Sequence, residues 1–508
     1  MTVTSYAQLR ATDPRGWRDT ATAWRAWAAT AGRWAAELRA HAARLRTIWT
    51  GSAADAATVR LAALIRRLNL FRLGCWAADQ ALSEFAAGLT RSRAMLAGTP
   101  AGISTAGNGT ANGQPAGISI AGDGTVSGMS AAAVRDTAAA VQAALAIAAQ
   151  ADGVAASRLG ELDAGGTATP PTVDPPSCTA TPAEVRRWWA ALSPAQQRWL
   201  LATDPGRLGP LDGIPAAARD AANRLTLDEL PARLPGLDAL RDRLAEGDAA
   251  RAYLLRIDPA GEGQAVVALG DPDRAANVLT QVPGMTADLA SYGEELARAE
   301  RIATRAAELA PETATSAIMW LGYDAPDFVH EAASRSQATA GAAGLRRFQE
   351  GLRATHLGPP AHQTVLGHSY GSLVVGTAAA QPGLATDAVV FVGSPGVGVE
   401  SAAELRVPPG QVWSSTSRSD VIQWAAVSPR SLAEDLALSH AVPGGSLLAF
   451  ARPEDDLYFG TNPSDPAFGA RVFASEPDAG HLGYFRPGSA ALDALAAIAV
   501  GRGDVIPR

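Results

Sequence analysis

The chain contains no lysine, so all 43 of its basic side chains are arginine. Two cysteines in 508 residues, Cys75 and Cys178, make neither a disulfide framework nor a zinc site, and they leave the redox compartment and their own pairing open. Charged residues, at 18%, are scarcer than in an average globular protein, because alanine and glycine take their place. Basic charge is in deficit: the formal net charge of −7 argues against nucleic acid as a partner and against whole-chain attraction to anionic membranes. Long hydrophobic runs are missing as well. No stretch reaches 18 uncharged apolar residues, since Arg135, Asp136 and Asp152 interrupt the alanine-rich segment after Ser130, so no transmembrane segment is expected. The opening MTVTSYAQLRATDP lacks the basic start and apolar run of a secretory signal peptide, which leaves the cytoplasm as the default address. Glycine and proline, 50 and 33 residues, are too few for a collagenous or wholly disordered chain. At about 150 residues per domain the length allows two to four domains.

What is present divides into a helical first part and a different second part. Trp27, Trp34, Leu38, Leu45 and Trp49 recur at helical spacing and fall on one face. Trp49-Thr50-Gly51 interrupts the pattern, and Ser52 with Asp55 three positions on opens a second helix. Two long helices joined at W-x-G read as an antiparallel hairpin whose aromatic stripe is a candidate core. Over residues 10 to 98 this resembles the WXG-type helical hairpins associated with type VII secretion in actinobacteria. The resemblance implies a WXG-type helical partner, or self-association through the hairpin, and export by that route. The segment Phe85 to Met95 has no tyrosine for the Y-x-x-x-D/E signal common in such substrates.

Residues 100–127 form a Gly-rich insert with a near-repeat, PAGISTAGNGT then PAGISIAGDGT, whose Asn108-Gly109 and Asp123-Gly124 predict turns. A third helix is expected towards Leu162. The domain reading is a helical domain over 1–163, a Gly/Thr/Pro-rich linker over 164–177, and a second domain over 178–508. The linker predicts that a chain beginning near Cys178 folds and acts by itself. A helical lead-in over 178–250 starts from two capping boxes, Thr181-Pro-Ala-Glu184 and Ser193-Pro-Ala-Gln196. From 251 onward, short β-branched runs follow one another: YLLRID, QAVVALGD, NVLTQVPG, AIMWLGYD, TVLGHS, AVVFVGSP and QVWSSTS. Those near Asn277, Ile318, Val365 and Val390 read as buried parallel strands, and their alternation with amphipathic stretches predicts an α/β fold with helices on both faces.

Gly367-His368-Ser369-Tyr370-Gly371 fits G-x-S-x-G between an apolar run and a helix-like SLVVGTAAA. A strand-to-helix turn this tight exposes the Ser369 hydroxyl and aims a helix N-terminus at developing negative charge. A serine needs a base, and the base an orienting acid. In the α/β-hydrolase order, acid and then histidine follow the serine. Only His440 and His481 remain after Ser369. His481, in the glycine-flanked Asp478-Ala-Gly-His-Leu-Gly483, is preferred to His440 at the edge of a helical stretch. His368, beside the serine in sequence, should point the other way from the turn and be structural. Asp420 follows the QVWSSTS strand and is preferred to Asp387, at the wrong strand end, and to Glu400 and Glu404, one strand too early. The oxyanion hole should combine the backbone N–H of Tyr370 with one from the loop holding Gly284 and Met285. Gly393-Ser-Pro-Gly-Val-Gly398 is a near miss for a nucleotide-binding fingerprint, with proline inside it.

From Gly209 to Tyr484 the chain closely resembles an actinobacterial α/β-hydrolase family known as a domain of unknown function. The matching stretches are GPLDGIPAAARDAANRL, NVLTQVPGM, WLGYDAP, GHSYGSLVVG, FVGSPGVGV and NPSDPAFGARVF followed by GHLGY. The resemblance implies a Ser-His-Asp hydrolase fold, with Ser369 and His481 in the motif positions. The expectation is a serine hydrolase acting on a small-molecule ester or acyl substrate without metal or organic cofactor. A catalytically silent hydrolase scaffold serving as an interaction or secretion-associated module is the rival.

Overall fold

The computed structural model describes residues 5–97, 104–105, 118–128, 130–163, 168–172, 174–177, 179–230, 234–247, 250–380, 382–422 and 456–507. His440, Cys178, Asn108-Gly109 and parts of the insert and linker lie outside the described residues.

Helices α1 (Pro14–Ile48) and α2 (Ser52–Ala97) form the hairpin, and Gly51, at φ +104°, makes the reversal. Its packing differs from the sequence reading. Ala21, Ala28, Ala35 and Ala42 recur every seven residues and are buried, whereas Trp27, Trp34 and Trp49 of the aromatic stripe are exposed. Small side chains let the helix axes approach closely, and bulky indoles on that seam would hold them apart. Gly32 shows how tight the seam is: an added Cβ would lie 3.0 Å from the guanidinium of Arg72.

A third long helix, α3 (Ala131–Asp163), packs on α2, and an added Cβ at Gly88 would lie only 2.5 Å from Cβ of Ala151. Among the described residues it is the one helix long and apolar enough, by length and composition, to cross a membrane. Its Arg158, however, is paired at 2.8 Å with Asp271 of the second part. In the insert, Ser119–Ile120 and Val126–Ser127 pair antiparallel around Gly124, as the Asp123-Gly124 turn predicts. Ser104–Thr105 joins Ser119–Ile120 in parallel instead, which a tight hairpin cannot do.

Both capping boxes start helices, α4 (Pro182–Ala191) and α5 (Pro194–Thr203). They are followed by α6 (Ala216–Leu227) and α7 (Leu237–Ala245). Beyond them runs an eight-stranded sheet of β1 (Ala252–Asp258), β2 (Gln264–Leu269), β3 (Asn277–Val282), β4 (Thr315–Leu321), β5 (His362–His368), β6 (Ala388–Val392), β7 (Val412–Ser415) and β8 (Arg471–Val472). Across the sheet the order is β8-β7-β6-β5-β3-β4-β2-β1. The first two strands are antiparallel, and from β4 to β8 every neighbouring pair is parallel. Every residue of β3 and β6 is buried, so neither strand alternates polar and apolar residues. Helices α8 (Tyr292–Leu309), α9 (Ser336–Thr355), α10 (Gly371–Ala380) and α11 (Ala490–Ala499) cover the sheet.

Buried ion pairs join the hairpin to this second part. Asp79 of α2, fully buried, accepts from Arg25 at 2.8 Å and from Arg251 at 2.9 Å. Arg251 in turn donates to Asp220 of α6 at 2.7 Å, and Tyr253 donates to Glu84 at 3.0 Å. Leu73 and Trp76 of α2 share an apolar cluster with Val185, Trp189, Leu201 and Leu225. This joint runs against the independence that the linker suggests: removing residues 1–163 strips Arg251 of a buried counter-ion and uncovers an apolar face.

Candidate active site

Strand β5 ends at His368, and Ser369 takes φ +55°, one of two non-glycine residues with positive φ among those described. A left-handed backbone at a serine costs of order 1 kcal/mol or more, and the surroundings enforce it. The Ser369 N–H donates to the carbonyl of Val392 at the end of β6 at 3.0 Å, and the Ser369 carbonyl accepts from the Ser372 N–H at 2.9 Å. Both elbow glycines are sterically required. A Cβ at Gly367 would lie 2.6 Å from Cα of Ser372, and one at Gly371 would lie 2.3 Å from the carbonyl oxygen of Val282.

Asp420, in the turn after β7, is fully buried. Its Oδ1 accepts from His481 Nδ1 at 2.8 Å and from the Ile422 N–H at 2.9 Å; its Oδ2 accepts from the Tyr484 hydroxyl at 2.5 Å. Burial pushes the carboxyl up, but His481, Tyr484 and the Ile422 N–H together hold it below the usual aspartate range. Tyr484 itself is raised, first by burial and then by the Asp420 charge, so it stays a donor. Because an ionised carboxylate only accepts, the proton of His481 sits on Nδ1, which leaves Nε2 as the ring's acceptor.

His368 lies beside His481 instead of pointing away from the site. The ring centroids are 4.8 Å apart, and His368 Nε2 donates to the His481 carbonyl at 2.9 Å. Burial first, then the neighbouring His481, lowers the His368 pKa to about 3, so this ring is a neutral support. Gly393 fixes the other side, since a Cβ there would fall 2.8 Å from Asp420 Oδ2 and 3.1 Å from His481 Nδ1. Gly284 lies against the serine: its added Cβ would meet Ser369 Cβ at 2.5 Å and Oγ at 3.0 Å. Met285 follows it and is exposed, and Thr286, at φ +63°, donates its N–H to the Pro326 carbonyl at 2.9 Å. Among the described residues no backbone acceptor takes the N–H of Tyr370 or Met285.

The structure therefore brings Ser369, Asp420, His481, Tyr370, Gly284 and Met285 to one edge of the sheet, at the C-terminal ends of its parallel strands. Ser369 Oγ and His481 are not hydrogen-bonded to each other here, which is common before a substrate binds. The weaker acid candidates are occupied elsewhere. Asp387 binds Arg353 and the Gln363 N–H at the start of β6, Glu400 accepts from Thr461, and Glu404 caps Ser401. Tyr484 and Gly393 carry site geometry that the sequence reading passed over, although both stand in its quoted stretches.

The sequence matches the alpha/beta hydrolase family over residues 258–429, a span that includes Ser369 and Asp420 and ends before His481. The uncharacterized protein Rv0963c of Mycobacterium tuberculosis is 37% identical over 191 residues, 36% of this chain and 71% of that protein. This chain belongs to the alpha/beta hydrolase family. The uncharacterized protein Rv2079 of the same organism is 31% identical over 384 residues, 65% of this chain and 57% of its own length. An uncharacterized Mycobacterium bovis protein, Mb0988c, matches with the same 37% identity over 191 residues. The chain thus spans little more than half of the longer relative, and the family gives it a hydrolase fold without assigning an activity or a substrate.

Proposed function

We propose that the protein is a serine hydrolase that cleaves carboxylic esters through an acyl-enzyme on Ser369. The observation that carries this reading is the left-handed Ser369 beside a His481–Asp420 pair whose tautomer leaves His481 Nε2 free to accept a proton. Ser369 Oγ attacks the ester carbonyl while His481 Nε2 takes its proton, and the buried Asp420 carboxylate stabilises the imidazolium that forms. The N–H groups of Tyr370 and Met285 stabilise the oxyanion, Gly284 being small enough to bring its loop onto the serine. Collapse expels the alcohol, which takes the proton back from His481. Water then repeats the sequence on the acyl-enzyme and releases the acid.

Exposed apolar side chains support an acyl substrate. Met285, Val421, Leu482 and Tyr458 stand next in sequence to Gly284, Asp420, His481 and Phe459, and the Phe459 ring lies 6.1 Å from Tyr370. Solvent-facing apolar groups gathered at a reactive edge favour an apolar ligand. The domain division at 164–177 belongs to the same reading, with residues 1–163 as a docked accessory part. Labelling with an activated fluorophosphonate tests the mechanism directly. Stoichiometric modification of Ser369, together with turnover of acyl esters, is expected; an unlabelled serine in the folded protein would establish the silent-scaffold alternative. Running amide analogues beside the esters decides which bond is preferred.

A further inference from the structure

The tryptophans of the first part present a problem of their own. Trp17, Trp24, Trp27, Trp34 and Trp49 all lie on α1 or the turn after it, and all are exposed. Trp27 and Trp34 are two turns apart on α1, each one position before a seam alanine and so about 100° round the helix from it. Near them a groove of about 520 Å³ opens between the helices, lined by Trp34, Leu38, Leu64 and Leu68. The end of the hairpin is more apolar still: Ile48 is 80%, Trp49 42% and Val59 70% exposed.

Among the described residues, this end stands free of the rest of the protein. The last ties on each helix are Arg39 with Glu229 and Arg66 over the Trp199 ring. Between them, no hydrogen bond, ion pair or ring contact joins residues 40–65 to anything outside the hairpin, among the described residues. Nine further residues of α1 beyond Arg39 project the turn by roughly 14 Å.

Charge distinguishes what could cover it. Residues 33–67 hold seven arginines against two carboxylates, Glu37 and Asp55, in a chain whose formal net charge is −7. Arg44, Arg46 and Arg60, all exposed, flank the apolar end on both helices. An apolar tip collared by arginine, with indoles behind it, matches the layers of an anionic bilayer surface. Apolar groups enter the acyl boundary, indoles sit at headgroup level, and guanidinium groups meet phosphate. A two-fold contact with a second copy through this same end would bring arginine against arginine.

We infer that the free end of the hairpin docks the protein on an anionic phospholipid surface, with Ile48 and Trp49 inserted and Arg44, Arg46 and Arg60 on the headgroups. The inference is independent of the hydrolase chemistry, and so is its test. The full chain is floated with phosphatidylcholine vesicles and with vesicles containing about a third phosphatidylglycerol. Expected are binding to the anionic vesicles only, weakening with salt, and quenching of tryptophan fluorescence by brominated lipid. Arg44→Glu, Arg46→Glu and Arg60→Glu together should lower the affinity about a hundredfold or more. Ile48→Asp with Trp49→Asp should abolish quenching while the thermal unfolding curve shifts little, because both side chains are exposed at the end of the hairpin. Equal binding to both vesicle types, no binding at all, or binding unaffected by either variant set overturns the inference. So does concentration-dependent dimerisation that the Ile48/Trp49 variant removes, which would assign this face to a second copy.

Discussion

The two halves of the molecule bury surface in opposite ways. The sheet half hides large side chains: Trp320, Trp413, Tyr253 and Phe391 are all buried in one continuous cluster. The first hairpin helix, α1, hides alanine and glycine and leaves its indoles exposed. Burial scales with apolar area, so an alanine seam yields much less stabilisation per residue than a sheet core. The hairpin makes up the difference by its length, by the apolar face of α2 on α4 to α6, and by the buried pairs around Asp79. A large apolar side chain at helical spacing therefore means core in the sheet half and on α2, but surface along α1. Only the distance to the neighbouring helix separates the two cases.

The sheet half concentrates strain and buried charge at the candidate site, in Ser369 and Asp420. Ser369→Ala is expected to abolish fluorophosphonate labelling and to lower kcat on acyl esters by about 10⁴ or more. His481→Ala should lose nearly as much, and the double variant should be hardly worse than either single, because the residues act as one unit. Independent, additive losses in steady-state kinetics would break the proposed mechanism.

The joint between the halves comes next in size. Asp79→Asn leaves Arg25 and Arg251 buried without their shared carboxylate, at an expected cost of about 3–5 kcal/mol in denaturant unfolding. The two halves should then unfold in separate transitions. A single, unshifted transition would mean that the hairpin contributes little to the stability of the sheet.

Most of this architecture is legible in the chain. The seven runs from YLLRID to QVWSSTS each become a strand because β-branched residues bounded by glycine, proline or aspartate have few alternatives. The elbow is legible because only glycine fits at 367 and 371. Ser369, Asp420 and His481 could be picked by strand end and chain order, and the structure brings them to one edge. The seam was not legible, since an indole offers far more apolar area to bury than a methyl group. Arg25, Asp79 and Arg251 look like ordinary surface charges until the fold brings them together. Tyr484 follows His481 by three residues in Gly480-His-Leu-Gly-Tyr, but its bond to Asp420 spans 64 residues and has no local signature.

His368 offers a smaller test, now against pH. Its folded pKa of about 3 lies below its ordinary 6.5, so below pH 6.5 the unfolded chain takes up a proton that the folded one refuses. Stability from this group is full above pH 6.5 and is lost as pH falls towards 3, by about 2 kcal/mol at pH 5. His368→Asn should flatten that part of the stability profile. Taking the difference between parent and variant cancels the other titrating groups. Parallel profiles between pH 7 and 4 would show that His368 is not held neutral.

Tyr484 should give the smallest effect and the most specific one. Its hydroxyl is the second side-chain donor on Asp420 and also accepts from the Ser417 N–H at 2.9 Å, so it clamps the turn after β7 onto the histidine loop. Tyr484→Phe keeps the buried ring and removes only the oxygen. Asp420 would retain His481 and the Ile422 N–H, so the carboxylate should stay ionised and in place. With one anchor gone, the carboxylate and the imidazole it orients are held less firmly. On acyl esters kcat should therefore fall about tenfold, with KM within about twofold of the parent. A purely structural tyrosine would lower stability and leave kcat where it was. If Tyr484→Phe unfolds more easily but keeps the parent kcat, the tyrosine supports only the fold.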